Sequence, residues 1–320
     1  MIPTFLGAKF ASQPLIIVSI ISSFSITITS SNMTTTNEPT AKPQYDDIGA
    51  KYDLIKQFPS ERIESSNLLA AITPNVVGAR VLDLACGTGH FTRKLISEWG
   101  AASVVGVDLS QTMVDAAKHL TGDGYGDRVQ FRVGDGQSLG KVDDEGFDLV
   151  IAAWLINYAG TEYELVDMFS TASSNLKSES GIFAGITAPA AASADLDAFA
   201  ALENEADRRK EPPMRITTRY YARNERMGDD PDAGWRVEIT AWDEKGEEEL
   251  LKFTNFHLPK EVVERAAKRG GMRGKFEWKP VKMMEEIREK AVAEYGEEFW
   301  VQYFGSPGPH FGLFVVKKGD

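Results

Sequence analysis

The run Val81-Leu-Asp-Leu-Ala-Cys-Gly-Thr-Gly-His-Phe-Thr-Arg-Lys-Leu95 constrains this chain more than any other stretch. The apolar residues from Ala79 to Ala85 need no alternation, which suits a parallel strand covered on both faces. Gly87 and Gly89 then let the backbone turn sharply and come close to a ligand. A helix opening near His90 would aim its free N–H groups into that turn. Strand, glycine turn and helix, in that order, make a cradle for a nucleotide-like molecule.

The residues downstream repeat the alternation. The first helix is predicted to run to about Trp99 and stop at Gly100. Strands are expected at 103–108, 129–133, 147–152 and 182–187. Helices fall between them over 110–120, capped by Ser110, and over 161–175. Upstream, Ser60 reads as the N-cap of a helix with Ile63, Leu68, Leu69 and Ile72 on one face. Strands and helices at this spacing mean βαβ units and a parallel sheet. Right-handed crossovers put the carboxyl ends of its strands along one rim. Asp83 to Gly89, Asp108, Asp135 and the run Ala152 to Tyr158 all fall there, within reach of one ligand.

Beyond 189 the pattern changes. Residues 188–206 are alanine-rich and read as a helix, stopped by Pro212-Pro213. Residues 236–242 and 250–256 alternate in period two around Asp243, which predicts a hairpin. A helix over 259–269 ends at Gly270-Gly271, and strands at 275–282 and 310–317 close the pattern. Residues 189–257 therefore read as an insertion covering the rim. Its aromatic residues (Tyr220, Tyr221, Trp235, Trp242, Phe253 and Phe256) suit a small, flat or apolar ligand.

Composition narrows the function classes. A net charge of −12 argues against nucleic-acid binding, which usually shows a basic face. The lone cysteine, Cys86, excludes an internal disulfide and fits a reducing compartment, hence a cytoplasmic location. Inside the glycine turn, with no base beside it, it reads as a small filler rather than a nucleophile. No Cys/His cluster has metal-ligand spacing, so no metal is expected. The first 32 residues carry a single charge, Lys9, and Leu15 to Ile28 is too short and hydroxyl-rich for a membrane span. Met33 reads as the start of a polar leader reaching residue 44, with the preceding residues an extension rather than a secretion signal.

The ligand is narrowed by what the turn lacks. A dinucleotide site would want G-x-G-x-x-G, and Thr92 stands where the third glycine belongs. No Gly-Lys-Ser/Thr follows the turn, which excludes a P-loop. Asp108 suits the ribose of either a dinucleotide or another adenosine ligand, since a carboxylate accepts both hydroxyl hydrogens. Asp83 separates the readings: a carboxylate there repels a pyrophosphate and attracts an ammonium or sulfonium.

At these residues the chain resembles the class I S-adenosylmethionine-dependent methyltransferases. Asp83-Leu-Ala85-Cys-Gly87-Thr-Gly89 is similar to their D/E-x-G-x-G-x-G loop. Val104-Val-Gly-Val-Asp108-Leu-Ser, Gly134-Asp135-Gly136 and Phe147-Asp-Leu-Val-Ile-Ala-Ala-Trp-Leu-Ile-Asn157-Tyr158 resemble their later motifs, over roughly 45–190. A closer resemblance, to microbial small-molecule methyltransferases of the toxoflavin-biosynthesis type, rests on Tyr45-Asp-Asp-Ile-Gly49, residues 152–159 and Phe276-Glu-Trp-Lys-Pro280. It implies a Rossmann-like, doubly wound, mostly parallel seven-stranded sheet spanning 45–320, with an α+β lid near 189–257.

The resemblance also implies roles. Ala85, Gly87 and Gly89 would lie against the methionine part of the donor, with Asp83 near its ammonium. Asp108 would hold the ribose, Leu109 and Met113 would sandwich the adenine, and Asp135 with Gly136 would meet its amino group. Ala152, Ala153 and Asn157 would border the methionyl end, while Tyr45 and Tyr52 would close over the cofactor. Tyr52, Trp154, Tyr158 and His257 are the candidates for the acceptor pocket. Asp46 and Asp47 read as a helix cap, and His257 and His310 read first as structural. The expected reaction moves a methyl group to a small N, O or S nucleophile and leaves S-adenosylhomocysteine, in a monomer or homodimer with no membrane anchor. No Asn/Asp-Pro-Pro-Tyr/Phe follows the fourth strand, which argues against amino-methylation of nucleic acids. A protein or lipid methyltransferase, a non-catalytic cofactor-binding regulator and a nicotinamide oxidoreductase are the rival readings.

Overall fold

A computed structural model describes residues 44–73, 75–177, 180–205, 215–221, 234–243, 245–305 and 308–319. The expected extension over 1–32, the leader as far as residue 43 and the Pro212-Pro213 stop lie outside these residues.

Seven strands form one sheet in the order β3-β2-β1-β4-β5-β10-β9. They are β1 (Arg80–Leu84), β2 (Ser103–Asp108), β3 (Val129–Val133), β4 (Leu149–Ala153), β5 (Ile182–Thr187), β9 (Phe276–Lys279) and β10 (Gly312–Lys317). The first five run parallel, and β10 is antiparallel to both β5 and β9. This is the mostly parallel, doubly wound sheet that the alternation implied.

Period-two side-chain alternation explains why the strands read as continuous apolar runs. Val81, Val104, Leu149, Ile151 and Ala184 join one core with Ile63, Leu68 and Ile72 of α2 (Ser60–Ile72) and Phe91 and Leu95 of α3 (His90–Ser97). Leu82, Leu84, Val150, Ala152 and Phe183 join the opposite core, with Leu165 and Phe169 of α5 (Glu162–Asn175) and Val262 and Ala266 of α7 (Lys260–Arg269). Both faces are covered, so polar residues within these strands need a reason to be there. α4 (Gln111–Thr121) begins where expected, with the Ser110 side chain accepting from Met113 N–H. α5 opens on a capping box between Thr161 and Glu164.

Between β5 and α7 lies a separate three-stranded antiparallel sheet of β6 (Ile216–Tyr220), β7 (Trp235–Trp242) and β8 (Glu249–His257). Phe199 and Ala200 of α6 (Leu196–Glu205) pack against Tyr220 and Val237 of this sheet. Ala241, Leu251 and Phe253 pack against Ile48, Tyr52, Ile55 and Phe58 of the N-terminal segment, formed by α1 (Gln44–Ile48) and a 3-10 stretch over Gly49–Gln57.

Several local expectations need correcting. Pro59, not Ser60, occupies the N-cap of α2 and makes no side-chain cap bond. The alanine-rich helix starts only at Leu196, because residues 188–195 hold turns and irregular backbone. Asp46 and Asp47 lie within the first turn of α1 rather than ahead of it. Two helices, α8 (Glu285–Tyr295) and α9 (Glu297–Tyr303), and strand β6 carried no clear signal in the sequence. Among the described residues, no helix is long and apolar enough to cross a membrane.

Candidate active site

The strand order reverses between β1 and β4, and the crevice at their carboxyl ends is where open α/β sheets take ligands. The loop leaving β1 turns through Ala85 (φ 59°), Gly87 (φ 53°) and Gly89 (φ 79°). The two glycines do different work. A Cβ at Gly87 would meet nothing within 4 Å, so this backbone faces open space. One at Gly89 would come within 2.9 Å of Phe131 Cζ, so that glycine admits β3. Cys86 is buried, and burial pushes its thiol well above the ordinary range, in keeping with a filler.

Asp108 ties the two motif loops together. Its Oδ2 accepts from Gly87 N–H at 2.8 Å and its Oδ1 from Ser110 N–H at 2.9 Å. Each oxygen keeps a further lone pair for a ligand hydroxyl. Burial raises the Asp108 carboxyl above its usual value. Asp83, one step deeper, sits in register between Gly106 of β2 and Ile151 of β4 and is 1% exposed. Its Oδ2 accepts from Thr92 Oγ1 at 2.6 Å, across the position a third glycine would hold. Burial pushes Asp83 up to about 7, with Asp108 adding to the rise and Thr92 opposing it.

Leu109 is 52% exposed at the rim, whereas Met113 is buried beneath, so of the expected adenine pair Leu109 presents surface. Asp135 accepts from Gln137 N–H at 2.9 Å and Ser138 Oγ at 3.1 Å, which fixes its loop. Gly136 packs close to Leu155, 3.1 Å from a built Cβ. Ala152 and Ala153 end β4.

The N-terminal segment spans these loops. Asp46 accepts from Ser110 Oγ and Asp53 from Thr88 Oγ1, while Gln44 exchanges two bonds with the Thr254 backbone, at 3.0 and 3.1 Å. The Tyr45 and Tyr158 hydroxyls are paired, and the Tyr45 ring stands edge-on to Tyr52, centroids 5.3 Å apart. Burial raises all three hydroxyls, so they are neutral at ordinary pH.

Beside this segment opens a cavity partly continuous with solvent. Of the acceptor-pocket candidates, Tyr52, Trp154 and Tyr158 line it, together with Glu64, Tyr220, Phe253 and His310; Asn157, expected at the methionyl end, lines it too. His257 is not among them and lines a smaller neighbour. Its Nε2–H donates to the Pro189 carbonyl at 2.7 Å, which leaves Nδ1 to accept from Tyr220 Oη–H at 2.8 Å. Burial lowers the ring to about 4, against the pull of that carbonyl. His257 is therefore a neutral support for Tyr220 and does not itself reach the main cavity.

Glu64 is the wall residue that sequence reasoning missed. It is 3% exposed, with Lys56 Nζ 3.1 Å and Trp154 Nε1 3.3 Å from Oε2, and His310 Nε2 3.5 Å from Oε1. Burial would raise this carboxyl, but Lys56 and then His310 outweigh it and hold it at about 2. The Trp154 ring stacks on His310, interplanar angle 10°. A signal was present: Glu64 stands four residues before Leu68 and eight before Ile72, an acid in an apolar helical stripe.

Comparison with known proteins agrees with this geometry. Residues 81–179 match the family model described as "Methyltransferase domain". The ubiquinone/menaquinone biosynthesis C-methyltransferase of Hahella chejuensis is 33% identical over 129 residues, 39% of this chain and 51% of that protein. The trans-aconitate 2-methyltransferase of Rhodopseudomonas palustris is 40% identical over 62 residues, 19% of this chain and 24% of that protein. The chain thus spans about half or less of these relatives. An S-adenosylmethionine-dependent methyltransferase from Clostridium acetobutylicum superposes with a TM-score of 0.50 at 19% identity, covering 86% of this chain and 99% of that one. That likeness is one of fold.

Proposed function

Taking as premise that the chain carries a class I S-adenosylmethionine-dependent methyltransferase domain, we propose that it methylates a small molecule held in the cavity beside the N-terminal segment. The observation that carries this reading is the pairing of an open backbone at Gly87 with Asp108, whose two oxygens brace the loop and keep lone pairs free. When bound, S-adenosylmethionine supplies a methyl group on a sulfonium, already activated for in-line displacement.

The protein's own part is alignment and exclusion of water. Asp108 holds the ribose hydroxyls, Leu109 covers one adenine face, and Asp135 with Gly136 meets the adenine edge. Gly87 lets backbone lie against the methionine part, with Asp83 beneath as a compensating acid. Ala152 and Ala153 border that end, and Tyr45, Tyr52 and Tyr158 close the cover. The β6–β8 insertion is the lid, and its aromatic wall orients a flat or apolar acceptor of specialised metabolism. The relatives' names cover a quinone-pathway C-methyltransferase and a trans-aconitate methyltransferase, so the acceptor is not inherited with the donor site. The negative charge supports a reaction away from nucleic acid; we place it in the cytoplasm, in a monomer or homodimer.

Methyl-labelled S-adenosylmethionine incubated with a metabolite extract tests the proposal. Labelled small product is expected, and its loss in Asp108→Ala. Donor binding with no transfer to any fraction would favour a non-catalytic regulator, and label in macromolecules alone would favour a protein or lipid acceptor.

A further inference from the structure

Buried polar groups almost always find partners, so an orphan asks for an explanation. Asn157 is 2% exposed, and both its Oδ1 and its Nδ2 lack a hydrogen-bond partner. It stands on the 3-10 turn Ile156–Tyr158 that follows β4 and lines both the large cavity and the small one beside it. Several neighbouring polar groups are already engaged. Tyr220 donates to His257, whose other nitrogen donates to the Pro189 carbonyl, and Glu64 is answered by Lys56. The Asn157 carboxamide offers a fully buried, unspent donor and acceptor at the boundary of an aromatic cavity, on whose wall Asn255 is the other carboxamide.

We propose that Asn157 reads the methyl acceptor, pairing with a flat, uncharged ligand edge that sets a hydrogen-bond donor beside a carbonyl-type acceptor, as in an amide, lactam or cyclic imide. The inference rests on the cavity being the acceptor site of a methyltransferase. A carboxamide fits such an edge with two parallel bonds, as asparagine does on adenine in DNA recognition. The Oη of Tyr220, spent as a donor, remains an acceptor for a third contact. The carboxylate among the described wall residues, Glu64, carries its own counter-ion in Lys56. Discrimination comes from what a poor ligand leaves behind: an edge lacking the donor or acceptor keeps the buried amide unpaired.

Calorimetry with S-adenosylhomocysteine present tests this, using benzamide and its near-isostere acetophenone, which lacks the N–H, as probes. The full-length protein should bind benzamide at least tenfold more tightly than acetophenone, and Asn157→Leu should bind the two equally. The same variant should melt no lower than the parent, since it removes an orphan rather than a bond. Equal binding or no binding of the probes to the parent overturns the proposal. So does an Asn157→Leu protein that keeps the preference, or one that melts lower, which would reveal a structural partner. Failure of S-adenosylhomocysteine to bind the parent would instead strike the donor reading itself.

Discussion

Asp83 carries a charge that its burial opposes. Burial pushes its carboxyl up to about 7 from an ordinary 3.8. The folded chain then holds a proton that the unfolded chain releases, so this group's contribution to stability is present below about pH 4 and is lost as pH rises to about 7. Asp83→Asn keeps an acceptor for Thr92 and removes the charge. The variant should melt a few degrees higher than the parent at pH 8, with a gain that fades towards pH 5. It should also bind S-adenosylhomocysteine at least tenfold more weakly, since the amide cannot answer an ammonium. Thermal melts at the two pH values and a titration check both; no gain at pH 8 would place the charge in a more favourable setting than the geometry gives it. Asp83 and Asp108 stood out in the sequence as candidates because a carboxylate in an apolar strand end has little structural reason to be there. Asn157's unpartnered amide was not, because only the fold shows which polar groups find partners.

The turn between β1 and α3 makes two different demands on its glycines. Both are left-handed, so alanine at either costs about 1 kcal/mol or more in backbone strain. At Gly89 the Cβ also meets the Phe131 ring, a rigid neighbour at 2.9 Å. Gly89→Ala should therefore lower the melting temperature more than Gly87→Ala does. Gly87→Ala should lose more S-adenosylhomocysteine affinity for each degree lost, because its Cβ enters the open side of the cradle. Equal ratios in paired melting and binding curves would remove the distinction. Elements like this one were legible because strands buried on both faces read as unbroken apolar runs and because glycine marks the turns. The helix Glu285–Tyr295 was not, since only Ala291 among its residues is buried and its pattern follows no clear face. Strand β6 is five residues long, and the segments beside it carry no hydrophobic period to announce it.

Across the whole molecule, the N-terminal segment, α2 and the loop leading into β10 meet at Glu64, through Lys56 and His310. Its carboxyl is held at about 2 by Lys56 and His310 against burial, so its contribution is present above pH 4.5 and is lost as pH falls towards 2. His257, held at about 4, stays neutral when folded, so its contribution fades as pH falls from 6.5 towards 4. Removing one partner of a buried pair leaves a bare charge, at a cost of about 3 kcal/mol or more. Lys56→Met should lose that much in urea unfolding at pH 7, and adding Glu64→Gln should restore most of it. A double variant no better than the single one would mean that Lys56 acts through packing on Tyr52 and Phe91 alone. The sheet and its rim followed from sequence because they rest on periodicity and topology rules. The contact between residue 64 and residue 310 did not, because only tertiary packing brings them together.

The methyltransferase reading requires that the rim at the reversal between β1 and β4 take S-adenosylmethionine. Isothermal titration of the protein with S-adenosylhomocysteine and, separately, with NADH checks this. One-to-one binding of S-adenosylhomocysteine, lost in Asp108→Ala, with no binding of NADH is expected; binding of NADH alone would overturn the reading.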